Sequence, residues 1–147
     1  MVFEDYFSEL QADMVSACLE YVHGQADKIY IHASFEPRVK GAGYFFVING
    51  KLLQRHKITE EIPDGDIELQ AQTQDILMED LYKLNDTCQK FGHPMPTEIK
   101  MVYDVKKNSL SANYQYDLIV QASDTLTPSL AEDMWFEEIK QQMEQAV

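Results

Sequence analysis

A chain of 147 residues with 45% hydrophobic and 11% aromatic side chains can bury about 70% of its unfolded surface in one core and is too apolar to stay disordered. Its formal net charge of −13 repels phosphate backbones and anionic lipid, which argues against direct nucleic-acid or membrane partners. The start Met1-Val2-Phe3-Glu4-Asp5 carries acid where a secretory leader carries base, and no apolar run approaches the ~18 residues of a membrane span. The expectation is one cytoplasmic α+β domain.

Phe3, Phe7, Leu10, Met14, Ala17 and Tyr21 recur at steps of four and three, and Asp5, Glu9 and Asp13 form a row on another face. This spacing predicts an amphipathic helix ending near Gly24. From Lys28 to Glu36 the period becomes two, with Ile29, Ile31, Ala33 and Phe35 on the core side and Tyr30, His32 and Ser34 on the other. Pro37 and Gly41 are expected to interrupt that strand before Tyr44-Phe45-Phe46-Val47-Ile48 begins a second. Asn49-Gly50 supplies the two positive-φ residues of a type I′ turn into a third strand, Lys51 to Ile58.

An acidic linker from Thr59 to Glu68 holds the turn Pro63-Asp64-Gly65-Asp66. Leu77, Leu81, Leu84, Cys88 and Phe91 then mark a long helix stopped by Gly92. A second hairpin pairs Glu98 to Val105 with Leu110 to Leu118. Thr127-Pro128 reads as an N-cap with proline in the first turn, and Ser129 with Glu132 as an alternative capping box, of a final helix. The order α-β-β-β-α-β-β-α fits an antiparallel sheet of about five strands with helices packed on it.

Residues of catalytic type are present without catalytic spacing. His23, His32, His56 and His93 lack any i,i+4 partner, although His32 and His56 would be neighbours if their strands paired. No Gly-rich phosphate loop, Gly-x-Ser-x-Gly elbow or His-Glu-x-x-His helix occurs. Adjacent acids such as Glu60-Glu61 and Glu137-Glu138 diverge by about 100° on a helix, whereas acid–base catalysis needs two carboxyls converging on one bond. Cys18 and Cys88 fall in apolar stripes and read as buried thiols. The expectation is no enzyme, no cofactor and no metal.

Charge is unevenly distributed. Residues 28 to 57 carry +5, whereas residues 58 to 82 hold eight acids and no lysine or arginine. Such a density self-repels and is relieved by a basic partner. The candidate partner-binding residues are therefore Glu60, Glu61, Asp64, Asp66, Glu68, Asp75 and Glu79, with Asp117 and, on the end helix, Trp135, Glu137 and Glu138. Tyr30, Tyr44, Tyr103, Tyr114 and Tyr116 all fall on expected strands, where tyrosine suits core and interface alike.

Lys28-Ile29-Tyr30-Ile31-His32-Ala33-Ser34-Phe35-Glu36, Tyr44-Phe45-Phe46-Val47-Ile48, Tyr114-Gln115-Tyr116-Asp117-Leu118 and Trp135-Phe136-Glu137 occur in an order that resembles the YezG-like immunity proteins. The likeness runs from residue 1 to about 140; where that family often has a Pro-Trp-Thr-like step, this chain has Pro94-Met95-Pro96-Thr97. The resemblance implies an antitoxin that neutralises a cognate secreted protein toxin, a nuclease in several systems, by protein–protein contact, and the reading also allows a homodimer. Acidity, size and element order are similar too to the dimeric chaperones of type III secretion effectors, the alternative expectation.

Overall fold

The computed structural model of the chain describes residues 2–146. Its elements are α1 (Phe3–Tyr21), β1 (Lys28–Glu36), β2 (Val39–Ile48), β3 (Lys51–Gln54), 3-10 turns at Arg55–Glu60 and Ile67–Leu69, α2 (Gln70–Lys90), β4 (Glu98–Asp104), β5 (Ser109–Gln115) and α3 (Pro128–Gln145). The fold is α+β, with five strands in the order β3-β2-β1-β4-β5 and every neighbouring pair antiparallel. Element order agrees with the sequence reading. Asn49 and Gly50 have φ of 52° and 78°, the left-handed pair that a two-residue turn between twisted strands requires.

Period-two alternation divides the sheet between two cores. Ile29, Ile31, Ala33, Tyr44, Phe46, Ile99 and Met101 face α1 and α2, where they meet Met14, Cys18, Tyr21, Leu77, Leu81, Leu84 and Cys88. Each fully buried Leu or Ile there contributes about 1.5–3 kcal/mol relative to exposure. On the opposite face Tyr30, Phe45 and Val47 meet Trp135 of α3, flanked by Phe136, Ile139 and Met143. Tyr30, His32 and Ser34, expected on the polar side of a half-buried strand, are thus buried as well. The central strand is covered twice because α3 crosses the second face.

The expected interruption occurs at Pro37, as a two-residue turn with Arg38, but not at Gly41, because β2 has already begun at Val39. β1 and β2 form one tight hairpin in register from Lys28↔Val47 to Glu36↔Val39, and Gly41 and Gly43 lie within β2 because α3 passes close over them. A Cβ on Gly41 would sit 2.7 Å from the Pro128 side chain, and one on Gly43 would collide with the Glu132 carboxylate. The third strand is shorter than the Lys51 to Ile58 expected and stops at Gln54, where the chain turns to bury Ile58 and to aim Arg55 back across the sheet edge. The fifth ends at Gln115 rather than Leu118, because Thr97 Oγ1 donates to the Asp117 carbonyl at 2.6 Å and draws the chain off the ladder.

Candidate protein-binding surface

Three polar contacts fix the loops that carry the acids. Arg55 Nη1 donates to the Tyr44 carbonyl at 2.9 Å and to Glu132 Oε2 at 2.6 Å, and the Tyr21 hydroxyl donates to the Arg55 carbonyl at 2.7 Å. One residue of the basic block therefore ties α1, β2 and α3 together. Thr127 accepts from the Leu130 amide as N-cap, with Pro128 in the first turn; Glu132, the far member of the alternative capping box, is committed to Arg55 instead. Between β5 and α3, the buried Glu36 carboxylate accepts from three successive amides, Ile119 at 3.2 Å, Val120 at 2.8 Å and Gln121 at 3.0 Å. That cradle holds a strandless stretch across the end of the sheet.

The acidic segment lies on the outside. Glu60, Asp64, Asp66, Glu68, Asp75 and Glu79 are all exposed. Glu61 is half-buried, and hydrogen bonds from Lys51 at 2.9 Å and Asn49 at 3.1 Å hold its carboxyl below the usual carboxylate range. Asp66 caps the second 3-10 turn by accepting from the Glu68 amide at 3.0 Å. Asp64 stands 4.0 Å from His23 Nδ1 and Glu79 3.6 Å from Lys83. Glu60, Asp66, Glu68 and Asp75 are in no salt bridge among the described residues. Asp80, the eighth acid of this block, is buried with Oδ2 unpaired among those residues; burial first, and the neighbouring Asp13 second, push its carboxyl up to about 7.

The start of the segment meets the end helix across a groove. Glu60, Glu137 and Glu144 line an open groove of about 680 Å³ with Lys51, Lys57 and Lys140 over a floor of Leu52, Phe136 and Met143. The groove carries both signs of charge, so the acids and the helix do not merge into one acidic face there. Glu138 is exposed on α3. Trp135 is only 6% exposed, its ring edge-on to Tyr30 and Phe45 at centroid distances of 5.6 and 5.2 Å. It seats α3 on the sheet rather than offering an anchor to a partner. Asp117 lies beyond the end of β5, at the opposite edge of the sheet from the groove.

His32 and His56 are not brought together, because β1 pairs with β2 and β4 and not with β3. His32 sits 3.0 Å from Glu98 across β4, whose carboxyl that contact holds below its usual range. Among the described residues no group of three His, Cys, Asp or Glu side chains could hold a metal ion, and no helix is long and apolar enough to cross a membrane. Of the five strand tyrosines, Tyr30 and Tyr44 are core, Tyr103 is half-buried, and Tyr114 and Tyr116 are exposed. Leu110 and Leu118 of the same stretch are exposed as well, apolar surface that an argument from acids alone passes over.

No protein-family model matches the chain, and no curated protein matches it significantly in sequence.

Proposed function

We propose that the chain is an immunity protein that binds and neutralises a cognate secreted toxin, a nuclease in the first instance, by protein–protein contact. The observation that carries this reading is the run of exposed carboxylates from Glu60 to Glu79, of which Glu60, Asp66, Glu68 and Asp75 are in no salt bridge among the described residues. A nuclease presents a basic cleft to its substrate; an acidic surface is steered into such a cleft at high rate and competes there with phosphate. The aromatic motifs that resemble YezG-like immunity proteins include β1 and the buried end of β2, so that likeness bears on the fold, while the exposed acids bear on the partner. The test is co-expression with the carboxy-terminal domain of a secreted toxin encoded beside this chain. A stable complex in which the nuclease activity of that domain is lost supports the reading. Binding only to an unfolded secretion segment, with no inhibition, would replace it with the chaperone reading.

A further inference from the structure

The two edges of the sheet are treated differently. Phe35 donates its amide to the Thr97 carbonyl, so in register the odd residues of β4 bond β1 and the even ones bond β5. The N–H and C=O groups of Leu110, Ala112 and Tyr114 on β5 consequently point outward, where no group among the described residues meets them. By the same alternation Ala42 and Tyr44 point outward from β2, and their carbonyls are taken by Gln74 Nε2 at 2.6 Å and Arg55 Nη1 at 2.9 Å. β5 has no such cover. All seven of its residues are exposed, and none is charged or proline, the devices that usually blunt an edge.

We propose that β5 is the interface of a two-fold dimer, pairing antiparallel with β5 of a second copy about Ala112. This register uses all six outward groups of each copy. It also sets like against like on both faces. Leu110 falls opposite Tyr114 of the partner, both exposed large apolar side chains, and Ser111 falls opposite Asn113. Tyr114 lines an open cavity of about 240 Å³ with Phe3, Phe7, His93 and Tyr116, and the second copy's Leu110 arrives beside it. At the two ends, Lys107 of one copy is carried toward Asp117 of the other. In a chain of net −13, the stretch from Lys106 to Tyr116 has two lysines and no acid, so two copies pair along it without setting carboxylate against carboxylate.

Sedimentation velocity over a concentration series tests this. The expected species has twice the 17.0 kDa of the chain and dissociates on dilution. Ala112→Pro removes the amide at the two-fold axis from a position where an edge strand tolerates proline; it should leave circular dichroism unchanged and abolish the dimer. Lys107→Asp should weaken the dimer roughly tenfold, since the exposed pairs at both ends become repulsive. Adding Asp117→Lys should restore it, an outcome that misfolding cannot mimic. A single 17.0 kDa species at every concentration, or a dimer indifferent to both Ala112→Pro and Lys107→Asp, overturns the proposal. So does a monomer whose Leu110 and Tyr114 amides gain exchange protection only when another protein is added, which assigns the edge to that protein's strand.

Discussion

Arg55 Nη1 reaches Glu132 Oε2 at 2.6 Å, joining a turn beside β3 to a helix 77 residues further along the chain. The carboxylate is 10% and the arginine side chain 24% exposed, so the pair is screened less than a surface pair and is not wholly desolvated. Removing one partner strands the other over the backbone of Gly43 and Tyr44.

Glu132→Ala is therefore expected to destabilise the fold by about 2 kcal/mol, below the 3–5 kcal/mol of a fully buried pair. The double change with Arg55→Met should recover part of that loss. A thermal-melt double-mutant cycle with no coupling between the two positions would show that the contact contributes nothing.

Glu36 gives a second prediction. Its carboxylate accepts from three consecutive amides, so Glu36→Ala leaves those donors unpaired at a cost of about 2–3 kcal/mol. Residues 117–127 should then lose hydrogen-exchange protection before the sheet does. Uniform loss across the molecule would count against a local role.

Asp80 makes stability depend on pH. Burial and Asp13 raise its pKa, Glu79 adds to the effect and Lys83 opposes it, so the folded state holds its proton to about pH 7 while the unfolded chain releases it near the ordinary aspartate value of 3.8. This contribution is fully present below pH 3.8 and is lost as the pH rises through about 7. Asp80→Asn should raise Tm at pH 8, change it little below pH 4, and flatten the slope between. A Tm difference that is constant across that range would mean the carboxyl is not titrating there.

The exposed acids can be tested without disturbing the core. Replacing Glu60, Glu61, Asp64 and Asp66 by their amides should slow association with the toxin domain and flatten its salt dependence while leaving Tm within about 1 kcal/mol equivalent of wild type. An unchanged association rate and salt slope would move the binding face elsewhere, with Lys51, Arg55 and Lys57 the next residues to change.

Local chemistry made much of this fold readable. Asn49-Gly50 admits one kind of turn, the stripe Leu77, Leu81, Leu84 and Cys88 one kind of helix, and Thr127-Pro128 with the alternative Ser129 a helix start within two residues. What could not be read depended on contacts between distant segments. Gly41 and Gly43 look like strand breakers until Pro128 and Glu132 are seen lying against them. Trp135 reads in the sequence as part of the binding surface, and is core once Tyr30 and Phe45 are placed beneath it. The acids were legible as mostly exposed but not as a shape, because, of the candidate acids, Glu60 and Glu137 meet in one groove, beside Glu144 and three lysines. The open edge at Leu110, Ala112 and Tyr114 follows from strand order, which periodicity does not report.

The carbonyl caps placed by Gln74 and Arg55 on β2 also bear on how large an assembly this sheet can build. A sheet with two receptive margins can add subunits without limit, and a flat hydrophobic one does so as a fibre. Here one margin is occupied by side chains along β2 and beyond them ends in the four-residue β3, which begins with Lys51. Growth by strand addition is then disfavoured at that side, because a short strand beside side-chain-filled carbonyls offers a third subunit far less than the bare length of β5 offers a second.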